Sequence, residues 1–107
     1  MMLMNNYSIK ISRRAREDII DIGDYIAYVL MEPETSKKLI KGLKNSISNL
    51  KYFPYRFPLI QNIHNKDGIR CMPYKNYFIF YIISEDYYSI IILRIGYKRR
   101  NWKDILI

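Results

Sequence analysis

The chain has 107 residues, half of them hydrophobic, which makes room for one domain with one core and excludes a disordered chain. Eighteen Lys and Arg against ten Asp and Glu leave a formal net charge of +8. That charge favours a nucleic acid, an anionic membrane or an acidic protein as partner, the membrane being the weakest of the three because no apolar run approaches the ~20 residues of a membrane-spanning helix. With Cys71 the only cysteine and His64 the only histidine, an internal disulfide and a structural zinc site are both excluded, and no cofactor is implied.

In chain order, the N-terminal MMLMNNYS carries neither a charged leader nor a long apolar stretch, so the sequence predicts no signal peptide and a cytoplasmic location. Tyr7, Ile9 and Ile11 alternate onto one face of a short half-buried strand. Ser12 is placed to cap a helix over residues 13–31. At 100° per residue, Ala15, Ile19, Ile22, Ile26, Val29 and Leu30 share its inner face, with Glu17, Asp21, Asp24 and Tyr28 opposite. Asp18, Asp21 and Asp24 read as a solvated acidic face rather than a catalytic set. Pro33 ends that helix and suits the first turn of the next.

From 34 to 50, Leu39, Ile40, Leu43, Ile47 and Leu50 form a second apolar stripe. Lys37, Lys38, Lys41 and Lys44 lie on its flank and back, either solvated or facing an acidic partner. Two such helices form an antiparallel hairpin that needs a sheet to cover it. Residues 51–68, punctuated by Pro54, Pro58 and Gly68, make a long loop of undefined role, and His64 within it reads as a surface histidine. Three strands follow over 69–74, 77–83 and 87–95, joined by hairpin-sized KN and SED connections; the second is apolar on both faces and is expected at the centre. NWKDILI is a helical turn or a short edge segment. The expected fold is one α+β domain over 1–107: an N-terminal strand, a two-helix antiparallel hairpin, then a three-stranded antiparallel meander, in one sheet with the helices on one face.

The other sheet face is left without cover, open to solvent, a ligand or a partner. Arg70, Lys75, Arg94, Lys98, Arg99, Arg100 and Lys103 lie on the strands and their edges, interleaved with Tyr74, Tyr77, Tyr81, Tyr97 and Trp102. Arg70 is expected to converge with the Arg94–Arg100 cluster at one end of the sheet. Arg94 is read as the end of a strand and Gly96 as the turn after it. Cations interleaved with rings suit RNA or single-stranded nucleic acid, or simply a basic edge that resists aggregation.

The sequence has no glycine-rich phosphate loop, no metal-ligand spacing and no nucleophile elbow, and Cys71 reads as a buried thiol. Metal-free RNA cleavage needs a base for the 2′-hydroxyl, an acid for the leaving oxygen and a cation for the phosphorane. Arg supplies the cation, whereas Tyr or Lys acts on protons only with a lowered pKa.

The order and wording of YSIKISRRAREDIIDIGDYI, ISNLKYFPYRFP, GIRCMPYKNYFIFYIIS and IIILRIGYKRRNW resemble the RelE/ParE superfamily of type II toxins, from about Tyr7 to Leu106. The resemblance implies a RelE/ParE-like fold and a growth-inhibiting toxin held inactive by an acidic antitoxin encoded next to it. It implies one of two targets: mRNA in the ribosome, cut without metal by Lys, Arg and Tyr, or DNA gyrase, with no nuclease site. Against the nuclease pattern, Arg70 stands near the first strand lysine, Met72 at the second lysine and Phe78 at an arginine. Lys98 or Arg99 matches the C-terminal arginine, and Asp104 falls near the terminal tyrosine, leaving Tyr81 or Tyr97 for that role.

A nuclease site would therefore be Arg70, Arg94, Lys98, Arg99 and Tyr81. Tyr97, Arg100, Trp102 and Lys75 are the candidate contacts to target or nucleic acid, with no metal. The GIRCMPYKNYFIFY wording is closer to ParE-like plasmid-stabilisation members. The expectation is accordingly a ParE-like action on gyrase and replication, the alternatives being a RelE-like mRNA interferase and a non-toxic nucleic-acid-binding module.

Overall fold

A computed structural model describes residues 7–61 and 64–106; most of the MMLMNNYS stretch lies outside the described residues. β1 (Ser8–Ile11) runs parallel to the last strand, β4 (Ser89–Tyr97), from Ser8 opposite Ser89 to Ile11 opposite Ile92. Four residues are too few to cover nine, so half of the β4 edge is left to the next element. That element is α1 (Arg13–Asp24), and it fills the gap with polar atoms. Ser12 caps α1 by accepting from the Ala15 N–H at 3.0 Å, and its hydroxyl donates to the Leu93 carbonyl at 2.9 Å. The Asp18 carboxylate accepts from the Ile95 N–H at 2.8 Å. Asp18, expected on the solvated stripe, is therefore buried. It sits one turn from Ala15 and Ile22 on the inner face, and the unpaired β4 edge draws it in.

The first helix does not continue as a single α-helix to residue 31. Tyr25–Val29 form a π-helical turn, closed by the Leu30 N–H on the Tyr25 carbonyl at 3.0 Å. A wider turn shifts the phase of the stripe, so Ile26 stays buried while Val29 and Leu30, expected in the core, are exposed. α2 (Pro33–Asn49) starts with Pro33 in its first turn and buries Leu39, Leu43 and Ile47, with Leu50 at its C-cap, as its periodicity predicts. The Ser36 hydroxyl donates to the Gly23 carbonyl at 2.7 Å and ties the two helices together.

β2 (Arg70–Tyr74), β3 (Tyr77–Ser84) and β4 form the antiparallel meander, and the sheet order is β1-β4-β3-β2, so β3 and β4 share the interior. The fold is the expected α+β arrangement, with β1 adding one parallel pair. Met72, Tyr77, Ile79, Tyr81, Ile90, Ile92 and Ile95 pack under the helices.

The opposite face is not bare, contrary to expectation. A short α3 (Trp102–Leu106) and the chain at Ile60 pack there on Ile69, Cys71, Phe78, Phe80 and Leu93. Gly96 is a strand residue opposite Phe78 rather than a turn, and β4 runs on to Tyr97. A Cβ at Gly96 would stand 2.8 Å from the Trp102 ring, so only glycine lets the indole lie flat on the strand. Among the described residues, no helix is long and apolar enough to cross a membrane.

Candidate functional site

The β2–β3 turn and the segment after β4 meet at one end of the sheet. Lys75 takes φ +52° in that turn. The Lys98 N–H donates to the Asn76 carbonyl at 3.0 Å, and the Tyr77 and Tyr97 rings stack at 4.9 Å. The chain then folds back on itself: the Trp102 indole donates to the Tyr97 carbonyl at 2.9 Å, and the Arg100 guanidinium lies 5.2 Å from the Trp102 ring centre. Lys98 lies over Phe78, and Lys75 over Tyr74.

The result is an open depression of about 590 Å³ lined by Asn76, Tyr97, Lys98, Arg99 and Arg100. Among the described residues no carboxylate lies within ion-pairing distance of Lys75, Lys98, Arg99 or Arg100. Unpaired guanidinium forks and ammonium groups beside exposed rings hold phosphate or carboxylate oxygens. Asn76 was not singled out in the sequence; its place beside Lys75 in a two-residue hairpin turn was the available signal.

Three other candidate residues stand apart from this depression. Arg70 was expected to converge with the cluster, and the register overturns that. β2 and β4 both run antiparallel to β3, so they are parallel to each other and the start of β2 lies toward the start of β4. Arg70 is level with Ile92 and Tyr74 with Tyr97, a separation of about 13 Å along the sheet. The end of β2, not its start, joins the cluster. The Arg70 guanidinium instead donates to the Phe57 carbonyl at 2.6 Å and lies over the Tyr55 ring, fastening the loop that follows α2.

Arg94 forms a two-pronged ion pair with Asp18, at 2.9 and 3.1 Å, and the hydrogen bonds to that carboxylate raise its pKa above the usual value. Tyr81 is fully buried, its hydroxyl donates to the Pro54 carbonyl at 2.7 Å, and burial pushes its pKa up to about 12. Cys71 is half-buried in an apolar groove of about 300 Å³ between Leu59 and Trp102, where burial pushes the thiol up to about 11. His64 is exposed.

At the far end of the sheet the Tyr7 and Tyr55 hydroxyls both donate to the Glu85 carboxylate. These bonds lower the Glu85 pKa, while burial first and then the carboxylate push Tyr7 up to about 12. No sequence spacing signals this trio, because its members come from three distant segments.

A sequence profile described as the ParE toxin of the type II toxin–antitoxin system parDE matches residues 9–102. No curated protein matches the chain. Among solved structures, the chromosomal ParDE toxin–antitoxin system from P. aeruginosa is similar at 21% identity and a TM-score of 0.71, over 87% of this chain and 97% of that one. The RelBE toxin–antitoxin complex from Mycobacterium tuberculosis follows at 16% identity and 0.63, over 92% and 98%. The isolated RelE toxin of E. coli is similar at 12% and 0.61, over 94% and 95%.

Proposed function

Since the chain belongs to the ParE toxin family of type II toxin–antitoxin systems, we propose that it arrests growth by a ParE-like action on DNA gyrase, without cutting RNA. One observation carries this reading: the cationic end gathers groups that bind anions, and Tyr81, named beside them for proton transfer, lies elsewhere in the fold. RNA cleavage needs a base and an acid beside the phosphate, yet Tyr81 is buried, bonded to Pro54 and shifted away from neutrality. Arg70 and Arg94 are engaged within the fold. What remains at the surface is Lys75, Asn76, Tyr97, Lys98, Arg99 and Arg100, a contact surface for an acidic partner region.

The same surface accounts for neutralisation. A cognate antitoxin with an acidic segment laid over these cations blocks the target by occupying its ground. The P. aeruginosa and M. tuberculosis neighbours are toxin–antitoxin systems, which supports an antitoxin partner here. Expression of the chain alone, followed by primer extension on translated mRNA, tests the reading. Intact transcripts in growth-arrested cells are expected. Discrete, codon-phased cuts would replace it with a RelE-like interferase.

A further inference from the structure

Residues 17–36 contain six of the ten acidic side chains and none of the eighteen basic ones. Asp18 is paired with Arg94, and Glu17 and Glu34 with neighbouring cations, so Asp21, Asp24 and Glu32 carry the negative charge of the hairpin tip in a chain of net charge +8. Asp21 and Asp24 are exposed and, among the described residues, lie beyond ion-pairing distance of any cation. The same tip exposes Ile20, Tyr25, Tyr28, Val29, Leu30 and Met31, with Tyr28 74% and Met31 77% accessible. Soluble monomers rarely leave apolar side chains gathered this way without a use for them.

The backbone adds a third observation. The π-helical turn at Tyr25–Val29 is what takes Val29 and Leu30 out of the core, and Met31 follows it at φ +59°. A non-glycine residue held there stores strain, and inserted π turns gather at functional sites. Along the outer side of α1 and the π turn that continues it, Ile20 and Tyr28 flank Asp21 and Asp24. That stripe is the complement of a helix with leucine-like anchors between lysines or arginines.

We infer that the hairpin tip is a docking surface for a cationic, apolar segment of a partner protein. Charge selects the occupant. An acidic antitoxin segment is repelled here and attracted to the Lys98–Arg100 end, so the two poles serve different partners. The surface lies on the helical hairpin, shares no lining residue with the depression at the sheet end, and does not depend on what that depression binds.

A helix-forming peptide of Leu and Lys, about 18 residues long, and its Leu–Glu counterpart are the probes, titrated into the full-length isotope-labelled protein while amide shifts are followed. The Leu–Lys peptide is expected to perturb residues 17–34 despite the opposing net charge. Its affinity should fall about tenfold in Asp21→Lys/Asp24→Lys and further with added salt. Both carboxylates are exposed, and amide positions elsewhere report that the variant is folded; Tyr28→Ser provides an independent loss through the apolar component. Shifts elsewhere or nowhere overturn the inference. Equal perturbation of this segment by the Leu–Glu peptide overturns it as unselective adhesion. Concentration-dependent shifts here without peptide overturn it in favour of a second copy of the chain.

Discussion

Asp18→Ala should unfold this protein far more readily than any other change to the acidic helix. Both side chains of the Asp18–Arg94 pair are nearly buried, at 10% and 14% accessibility. The carboxylate accepts two guanidinium bonds and the Ile95 N–H. Truncation strands a guanidinium charge and a backbone donor together. Breaking one side of a buried pair costs about 3–5 kcal/mol, and the orphaned N–H falls within the upper part of that range. For a domain near 100 residues each kcal/mol moves the midpoint by about 4–8 °C, so a fall of at least about 12 °C is expected. Asp21→Ala, one turn out and exposed, should stay within about 0.5 kcal/mol of the parent. Urea titration followed by Trp102 fluorescence measures both. Equal, small losses would refute the assignment of Asp18 to the β4 edge.

Gly96→Ala should displace the indole that covers the second sheet face, costing roughly 1–3 kcal/mol and shifting Trp102 emission; unchanged emission would contradict the contact at 2.8 Å. The Cys71 thiol, raised to about 11 by burial, should react with a disulfide reagent at pH 8 about a hundredfold more slowly than a free cysteine, the rate climbing with pH; fast labelling at pH 8 would contradict its burial. Because its hydrogen bonds with Tyr55 and Tyr7 lower the Glu85 pKa, its contribution is present above the unfolded carboxylate range and lost as pH falls through the folded value. Glu85→Gln should therefore flatten the acid limb of the stability curve; an unaltered limb would mean that the tyrosine bonds contribute nothing.

Much of the fold was readable because its signals are local. The repeat of Ala15, Ile19, Ile22 and Ile26, the Leu39–Ile47 stripe and the alternation of β3 each specify an element from its own residues. What escaped depends on neighbours far away in sequence. Asp18 and Asp21 look alike in the chain; only the shortness of β1, which leaves the Ile95 N–H free, decides that one is buried and the other is not. Val29 and Leu30 follow the helical period faithfully, and the π turn removes them from the core. Five residues of α3 are too few to show a period, so the cover over Phe80 was invisible.

The site was legible in part. Tyr97, Lys98, Arg99 and Arg100 line one depression with Lys75 in the adjoining turn, whereas Trp102 is buried under Arg100 as cover for the sheet and Arg70 is held back by strand direction. Arg94 and Tyr81 are held by partners that no spacing announces.

The most direct test is a supercoiling assay with purified DNA gyrase, the intact chain and the Lys98→Ala/Arg99→Ala/Arg100→Ala variant. All three side chains are exposed and ion-pair with no carboxylate among the described residues, so the variant should fold and retain the parent's stability. Inhibition by the intact chain, lost in the variant, is the expected result. Undisturbed supercoiling with the intact chain, or equal inhibition by the variant, would contradict a gyrase-directed toxin that works through its cationic end.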